Sequence, residues 1–277
     1  MIKINSHKRL TQPVKWHGGK HYLALRILEL APSHIHYVEP FFGGGSVLFS
    51  KPRTLVEGHS EVINDLNGDL MNFYSVLQDT KKFAQFSRQV TVVPLAKPMW
   101  DKAVRSEPRD KVARAVAFFI KYRQSRQGLG TDFATMSRSR TRRGMNEQVS
   151  SWLSAVEGLP EAHERLRRVV IYSEDALTVI QREDSDHTFF YLDPPYLQST
   201  RTVPNAYEKE MSANEHAKLL ETLTELRGKF ILSGYPSDLY SKFAKANGWK
   251  TTQVKIDNKA SSAKRKEIKT ECLWTNY

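Results

Sequence analysis

Residues 191 to 196 read YLDPPY, so the apolar run HTFFYL is closed by one carboxylate, two prolines and an aromatic ring. Two consecutive prolines remove two backbone donors, and each biases the residue before it away from the helical region. The carbonyls there are stiffly placed and join neither a helix nor a ladder. The segment therefore offers acceptors, Asp193 and the Pro194 carbonyl, to a group that donates.

Three further stretches carry chemistry by residue type and spacing. EPFFGGGS, residues 39 to 46, sets glycines between a strand and a helix, where they permit a tight turn and close approach of a ligand to the backbone. A phosphate site at a helix N-terminus and a plain packing turn both remain open for it. Its spacing fits neither G-x-G-x-x-G nor G-x-x-x-x-G-K-[ST], and the next strand ends in the acidic INDLNGD. An acid at that place grips a ribose diol, so Asp65 points to a nucleoside-bearing cofactor that needs no phosphate. KWHGGK, residues 15 to 20, adds two lysines, paired glycines and Trp16, which reads as lining a site rather than as ordinary core. No cysteine stands near His17, and no metal site is assigned.

These stretches must be held by strands and helices, and the hydrophobic pattern supplies them in three zones. To about residue 80 the chain reads helix at HYLALRILEL, strand at HYVEPF, the glycine turn with a helix behind it, strand at EVIND, and helix at LNGDLMNFYSVLQ. From about 168 it reads VVIYS, HTFFYLDPP, a helix over NEHAKLLETLTELRG ending at Gly228, then KFILSGY, WKTTQVKI and TECLWTN. Alternating strands and helices imply an α/β fold with a mostly parallel sheet, its last two strands antiparallel. The middle zone, 81 to 167, is an insertion. Its helix RDKVARAVAFFIKYR puts Val112, Ala115, Val116, Phe119 and Ile120 on one face. After it, RQSRQGLGTDFATMSRSRTRRGMNEQ has too little apolar content for a core and predicts an exposed loop or hairpin carrying Arg138, Arg140, Arg142 and Arg143.

The bulk numbers agree with a basic, globular chain. Its 277 residues are 40% hydrophobic and 26% charged, with 42 lysines and arginines against 30 acids, a net charge of +12. That surplus points to a polyanion. A second basic cluster at KASSAKRKEIK turns the arginine run from a solvated face into a phosphate-contact candidate. An anionic membrane is the rival polyanion, but the sequence shows no run of about 18 apolar residues and no leader pattern, so a cytoplasmic protein is expected. One cysteine, Cys272, excludes a disulfide framework and reads as a strand residue.

Taken in order, KWHGGK, EPFFGGGS, IND and YLDPPY resemble the Dam-type family of DNA adenine methyltransferases, within the amino-methyltransferases that use S-adenosylmethionine. In that family K-W-x-G-G-K, E-P-F-x-G-x-G, a strand-closing D and D-P-P-Y occur in this order, with the target-recognition insertion before the third strand zone. The resemblance implies a Rossmann-like seven-stranded sheet in a catalytic domain of residues 1–80 and 168–277, with the insertion 81–167 facing DNA. It implies that Trp16 and Lys20 contact the cofactor, Lys20 near its carboxylate, that Glu39, Phe41, Gly43 and Gly45 form the methionine-side pocket, that Asp65 holds the ribose hydroxyls and that Asp175 contacts the cofactor's adenine. Asp193, Pro194, Pro195 and Tyr196 become the catalytic segment, with Asp193 also among the residues that contact the cofactor. Asp193 and the Pro194 carbonyl accept the two amino hydrogens of adenine, and Tyr196 stacks on a base turned out of the duplex. Lys15 matches a DNA-facing position. YRQSRQGL aligns in part with N-R-x-x-x-N-G-[LF], so Arg123, Arg126 and Gln127 join the DNA side, with Gln127 where asparagine is common. His17 stands where alanine is usual, and the stretch 138 to 143 matches no familiar target pattern.

The expected activity is methyl transfer to adenine N6 in a specific double-stranded DNA sequence, with S-adenosylhomocysteine as product and without a metal. The same acceptors would serve cytosine N4 in DNA or adenine in RNA, and a non-catalytic nucleic-acid-binding protein is the remaining alternative. The target motif, and the choice between monomer and weak dimer, are left open by the sequence.

Overall fold

The computed structural model describes residues 10–16, 18–52, 58–200, 210–257 and 268–277; His17 and the basic cluster at 259 to 267 lie outside the described residues. Along the chain run α1 (Ala24–Leu30), β1 (His36–Glu39), α2 (Ser46–Ser50), β2 (Ser60–Asn64), α3 (Gly68–Gln78), α4 (Thr80–Thr91), α5 (Lys97–Arg105) and α6 (Lys111–Arg123). Then come β3 (Thr141–Arg142), β4 (Met145–Asn146), α7 (Glu147–Glu157), α8 (Leu159–Leu166), β5 (Val170–Tyr172), α9 (Ala176–Arg182), β6 (Thr188–Leu192), α10 (Ala213–Thr224), β7 (Lys229–Gly234), α11 (Asp238–Ala246), β8 (Lys250–Asp257) and β9 (Ile268–Thr275).

Strands with continuous apolar runs are buried on both faces, as a sheet covered by helices requires. β6 is buried along its whole length, and β1, β2 and β7 are buried beyond their first residue. β1 runs parallel to both β2 and β6, and β6 parallel to β7. β9 runs antiparallel to β7, and β8 antiparallel to β9. The fold is thus the expected mostly parallel, Rossmann-like α/β sheet of seven strands with an antiparallel edge. Cys272 lies buried in β9.

The chain forms two compact units. The first comprises Met1–Leu30, Gly43–Glu57 and Asn67–Ser173; the second comprises Ala31–Phe42, Gly58–Leu66 and Glu174–Tyr277. The segments that begin the chain and follow β1 and β2 thus cluster with the helices of the middle zone rather than with the strands they adjoin. In the first unit, α6 packs against α3, α4 and α5. Rings from three of these helices make its core, with Phe73 stacked on Phe119 at 5.8 Å and Phe86 edge-on to both. Because neighbours cover a wide arc of α6, its buried face includes Phe118, while Val116, expected there, is only half-buried. Asn67, Asp79 and Asp110 cap α3, α4 and α6 by accepting backbone N–H bonds.

In the second unit, Ser212 and Glu215 form a capping box that starts α10. The helix stops at Thr224, short of the expected Gly228. Gly228 instead donates its N–H to Asp184 Oδ1 at 2.8 Å, and a Cβ there would sit 3.0 Å from the Thr188 carbonyl. The glycine serves a close approach rather than a helix end.

Candidate active site

In the second unit, β6 ends at Leu192 and Asp193 to Tyr196 leave the sheet immediately after it. The register pairs Leu192 with Leu232 of β7, which brings the next β7 residue, Ser233, level with Asp193. Ser233 is fully buried, and its hydroxyl lies 2.8 Å from Asp193 Oδ1 and 3.3 Å from the Leu192 carbonyl. A hydroxyl has a single proton, and the shorter, charge-assisted bond to Asp193 takes it. The Tyr191 hydroxyl lies 3.4 Å from the same oxygen. Asp193 is half-buried, Pro194 buried and Pro195 half-buried.

Tyr196 is 5% exposed, and its hydroxyl donates to the carboxylate of Glu271, which is 1% exposed on β9. The ring meets Tyr235 edge-on at 4.7 Å. Burial above all, with the Asp193 and Glu271 carboxylates next, pushes the Tyr196 phenol well above its ordinary range, so it is a donor and not an ionised base.

Glu39, at the end of β1, is buried and accepts from the Tyr37 hydroxyl at 2.7 Å. Phe41 is half-buried in the turn beyond it. Phe42 donates its N–H to the Asn64 carbonyl at 2.9 Å. The Asn64 amide staples two loops: it donates to the carbonyls of Pro40 and Glu174, each at 3.0 Å, and accepts the Glu174 N–H at 2.9 Å. Asp65, half-buried, is the first residue after β2 and is therefore carried by this stapled end. Asp175 is exposed and uses Oδ1 to cap α9 through the N–H groups of Leu177 and Thr178.

In the first unit, Trp16 packs on Phe118 at 5.9 Å and Tyr122 at 5.0 Å between ring centroids. A Cβ on Gly43 would come within 3.0 Å of the indole, and the backbone there has φ +50°, so both space and conformation demand glycine. Gly45, also left-handed at φ 70°, opens α2. Lys20 is 4% exposed and donates to the Gly18 carbonyl at 2.9 Å. Lys15 is half-buried; burial first and the neighbouring Arg123 second lower the pKa of its ammonium.

Arg123, expected on the DNA side, donates through Nε to the Pro13 carbonyl and through Nη2 to the Gln12 carbonyl, both at 2.7 Å. Burial lowers its pKa to about 10, which leaves it cationic at neutral pH and fixed on the N-terminal segment. Arg126 and Gln127 remain exposed in the turn beyond α6, with Gln127 at a left-handed φ of 54°.

The arginine-rich stretch forms the expected hairpin. β3 and β4 pair antiparallel across a two-residue turn, Arg143 and Gly144, at φ 57° and 73°, the signature of a I′ turn. Arg138, Arg140 and Arg142 are exposed, Arg140 with a long 3.8 Å pairing to Glu147. Arg143 turns back onto α7 and grips Glu157 through two bonds of 2.8 and 2.9 Å.

Sequence reasoning named the working segment after β6 but missed Ser233 and Glu271 behind it. Each did leave a signal, as a single polar residue inside an apolar strand, in KFILSG and TECLW. Among the described residues no helix is long and apolar enough to cross a membrane.

A mostly parallel seven-stranded sheet whose inner strand β6 runs out into D-P-P-Y, with an acid just past β2, defines a Rossmann-like amino-methyltransferase. The family model for D12 class N6 adenine-specific DNA methyltransferases matches residues 16–106 and 131–268, and the chain belongs to that family. It is 26% identical over 280 residues to the Type II methyltransferase M1.LlaDCHI of Lactococcus lactis subsp. cremoris, covering 95% of this chain and 94% of that one. It is 24% identical over 270 residues to the DNA adenine methylase of Escherichia coli (strain K12), covering 92% and 91%. Against the DNA N-6-adenine-methyltransferase of Escherichia phage P1 the identity is 27% over 240 residues, 80% of this chain and 30% of that protein. The protein is an adenine-specific DNA methyltransferase.

Proposed function

We propose that the methyl donor is S-adenosylmethionine, that the acceptor is an adenine in a specific duplex sequence, and that this adenine is turned out of the helix before its N6 is methylated. Taken singly, the residues suit such a cofactor: Lys20 is a buried ammonium suited to a carboxylate, Asp65 is a half-buried carboxylate suited to a ribose diol, and Gly43 and Gly45 hold left-handed backbone. Trp16, Glu39, Phe41 and Asp175 complete the residues assigned to it. When bound, the cofactor supplies an electrophilic methyl group on a sulfonium. Asp193 and the Pro194 carbonyl accept the two amino hydrogens, which favours a pyramidal nitrogen whose lone pair points at the methyl. The single observation that carries this reading is the orientation of Asp193 at the end of β6 by Ser233.

Tyr196 supplies the stacking face, and with only 5% of it exposed, binding of the base must uncover part of the ring. The three relatives named above come from bacteria and a phage, which supports action in the cytoplasm of a bacterium or an infected host. The test is nucleoside analysis after incubating the protein and S-adenosylmethionine with duplex DNA and, separately, with RNA. N6-methyladenine in DNA alone is expected; label in cytosine or in RNA would overturn the substrate assignment.

The insertion, with Lys15, Arg126, Gln127 and the hairpin, is assigned to DNA. Replacing Arg138, Arg140 and Arg142 by alanine should weaken duplex binding and flatten the dependence of log K on log salt by about one unit for each phosphate no longer neutralised. Arg143 should contribute less, because Glu157 already holds its guanidinium. An unchanged salt slope would return the hairpin arginines to the role of a solvated face.

A further inference from the structure

We propose that Glu271 and Ser233 are positioning residues: from strands β9 and β7 they hold Tyr196 and Asp193, the two working side chains of D-P-P-Y, in the orientation that receives the base. This rests on the roles just assigned to Asp193 and Tyr196. A phenyl ring alone would stack on a base, yet this segment carries a phenol whose hydroxyl is engaged by a carboxylate inside the protein. That carboxylate is costly where it sits. Glu271 lies at 1% exposure in a strand that continues Cys272, Leu273 and Trp274, all buried, and a buried charge there survives only when it is hydrogen-bonded. The Tyr196 hydroxyl is such a partner, and the bond fixes the far end of the ring while Tyr235 bears on it edge-on. Burial, with Asp193 and Glu271 next, keeps the phenol protonated, so it is the donor of the tether.

Ser233 does the same for the acceptor. One step past the Leu192–Leu232 pair, its hydroxyl locks the Asp193 carboxylate about its terminal torsion, which is otherwise broad. Both devices sit on strands of the sheet, β7 and β9, rather than in the segment they hold. Rigid strands hold a site more accurately than the loop that displays it.

The experiment uses the full chain and duplex DNA carrying its methylated sequence, with single-turnover rates and KM for DNA measured for Tyr196→Ala, Tyr196→Phe, Glu271→Leu, Glu271→Gln, Ser233→Ala and the double variant Glu271→Leu/Tyr196→Phe. Glutamine keeps an acceptor oxygen for the phenol and should stay within about threefold of the unaltered protein. Glu271→Leu and Tyr196→Phe should each slow the step about tenfold, and the double variant no further, since both remove one tether. Ser233→Ala should lower the rate on the order of tenfold with KM for DNA unchanged. Leucine preserves the volume and apolar setting of position 271, so thermal unfolding should be close to that of the unaltered protein. Losses that multiply in the double variant, full activity in Glu271→Leu, or loss in Glu271→Gln equal to that in Glu271→Leu would overturn the tether; an unchanged rate in Ser233→Ala would remove its arm. If Tyr196→Ala itself transfers methyl groups at the normal rate, the assigned role of Tyr196 fails along with the tether. If that variant is impaired and Glu271→Leu is not, the tether alone fails.

Discussion

Asp193→Ala should reduce methyl transfer about a hundred- to a thousandfold while leaving cofactor binding measurable. The amino nitrogen of adenine is a poor nucleophile because its lone pair is delocalised into the ring. The site must therefore favour a geometry that frees the lone pair before the new N–C bond forms. In the proposed mechanism Asp193 and the Pro194 carbonyl do this as acceptors, and preorganised hydrogen-bonding groups aimed where charge develops are worth about a hundred- to a thousandfold each. Removing the carboxylate also releases Ser233, whose hydroxyl lies between Asp193 Oδ1 and the Leu192 carbonyl and can turn to the latter. The protein around the mutation thus has a partner to fall back on, and the loss should appear in the single-turnover rate rather than in stability. Asp193→Asn keeps one acceptor oxygen and should recover part of the rate. Near-normal turnover by the alanine variant, with methylated adenine as product, would show that the nitrogen is activated by something other than this carboxylate.

The contrast between what was legible in the sequence and what was not follows from the range of the interactions concerned. Local patterns carried the strands: HTFFYL, EVIND and KFILSG are apolar runs that end where the chain must turn, and each became a strand within a residue or two. The glycines of EPFFGGGS were legible because backbone conformation is a local property, borne out at φ +50° for Gly43. Partners brought together only by the fold were not. Ser233 reaches Asp193 across 40 residues, and Tyr196 reaches Glu271 across 75. The backbone partners of Arg123 were hidden for the same reason. A basic residue after an amphipathic helix in a chain of net charge +12 points to phosphate, but its guanidinium meets carbonyls 110 residues earlier. Gly228 was misplaced because a glycine after helical periodicity reads as a helix end, whereas the tertiary approach of Asp184 and Thr188 is what requires it.

The second large effect concerns the joint that Arg123 makes. Gly128→Ala should destabilise the first unit by about 3 kcal/mol, and Gly144→Ala by only about 1 kcal/mol, although both glycines have nearly the same left-handed backbone, φ +74° and +73°. The conformational penalty is therefore shared, about 1 kcal/mol for a residue with a Cβ. The surroundings differ. A Cβ on Gly144, at the tip of the hairpin, meets nothing within 4 Å. A Cβ on Gly128 would lie 2.7 Å from Lys15 Cβ and 2.9 Å from both the carbonyl carbon and oxygen of Lys15, which are backbone atoms that no rotamer change can move. The N-terminal segment cannot yield easily, because Arg123 pins it at Gln12 and Pro13 and Trp16 is seated on Phe118 and Tyr122. Relief therefore means shifting residues 12 to 16 as a body or pushing the turn at 125 to 130 away from α6, and either disrupts close packing. Thermal unfolding of the two variants should show a fall several degrees larger for Gly128→Ala. Because the displaced segment leads directly into Lys20, cofactor affinity should fall with stability in that variant and hold steady in Gly144→Ala. Equal shifts in the two proteins would mean that the N-terminal segment is not clamped against the turn, and that Arg123 holds it less firmly than its two 2.7 Å bonds indicate.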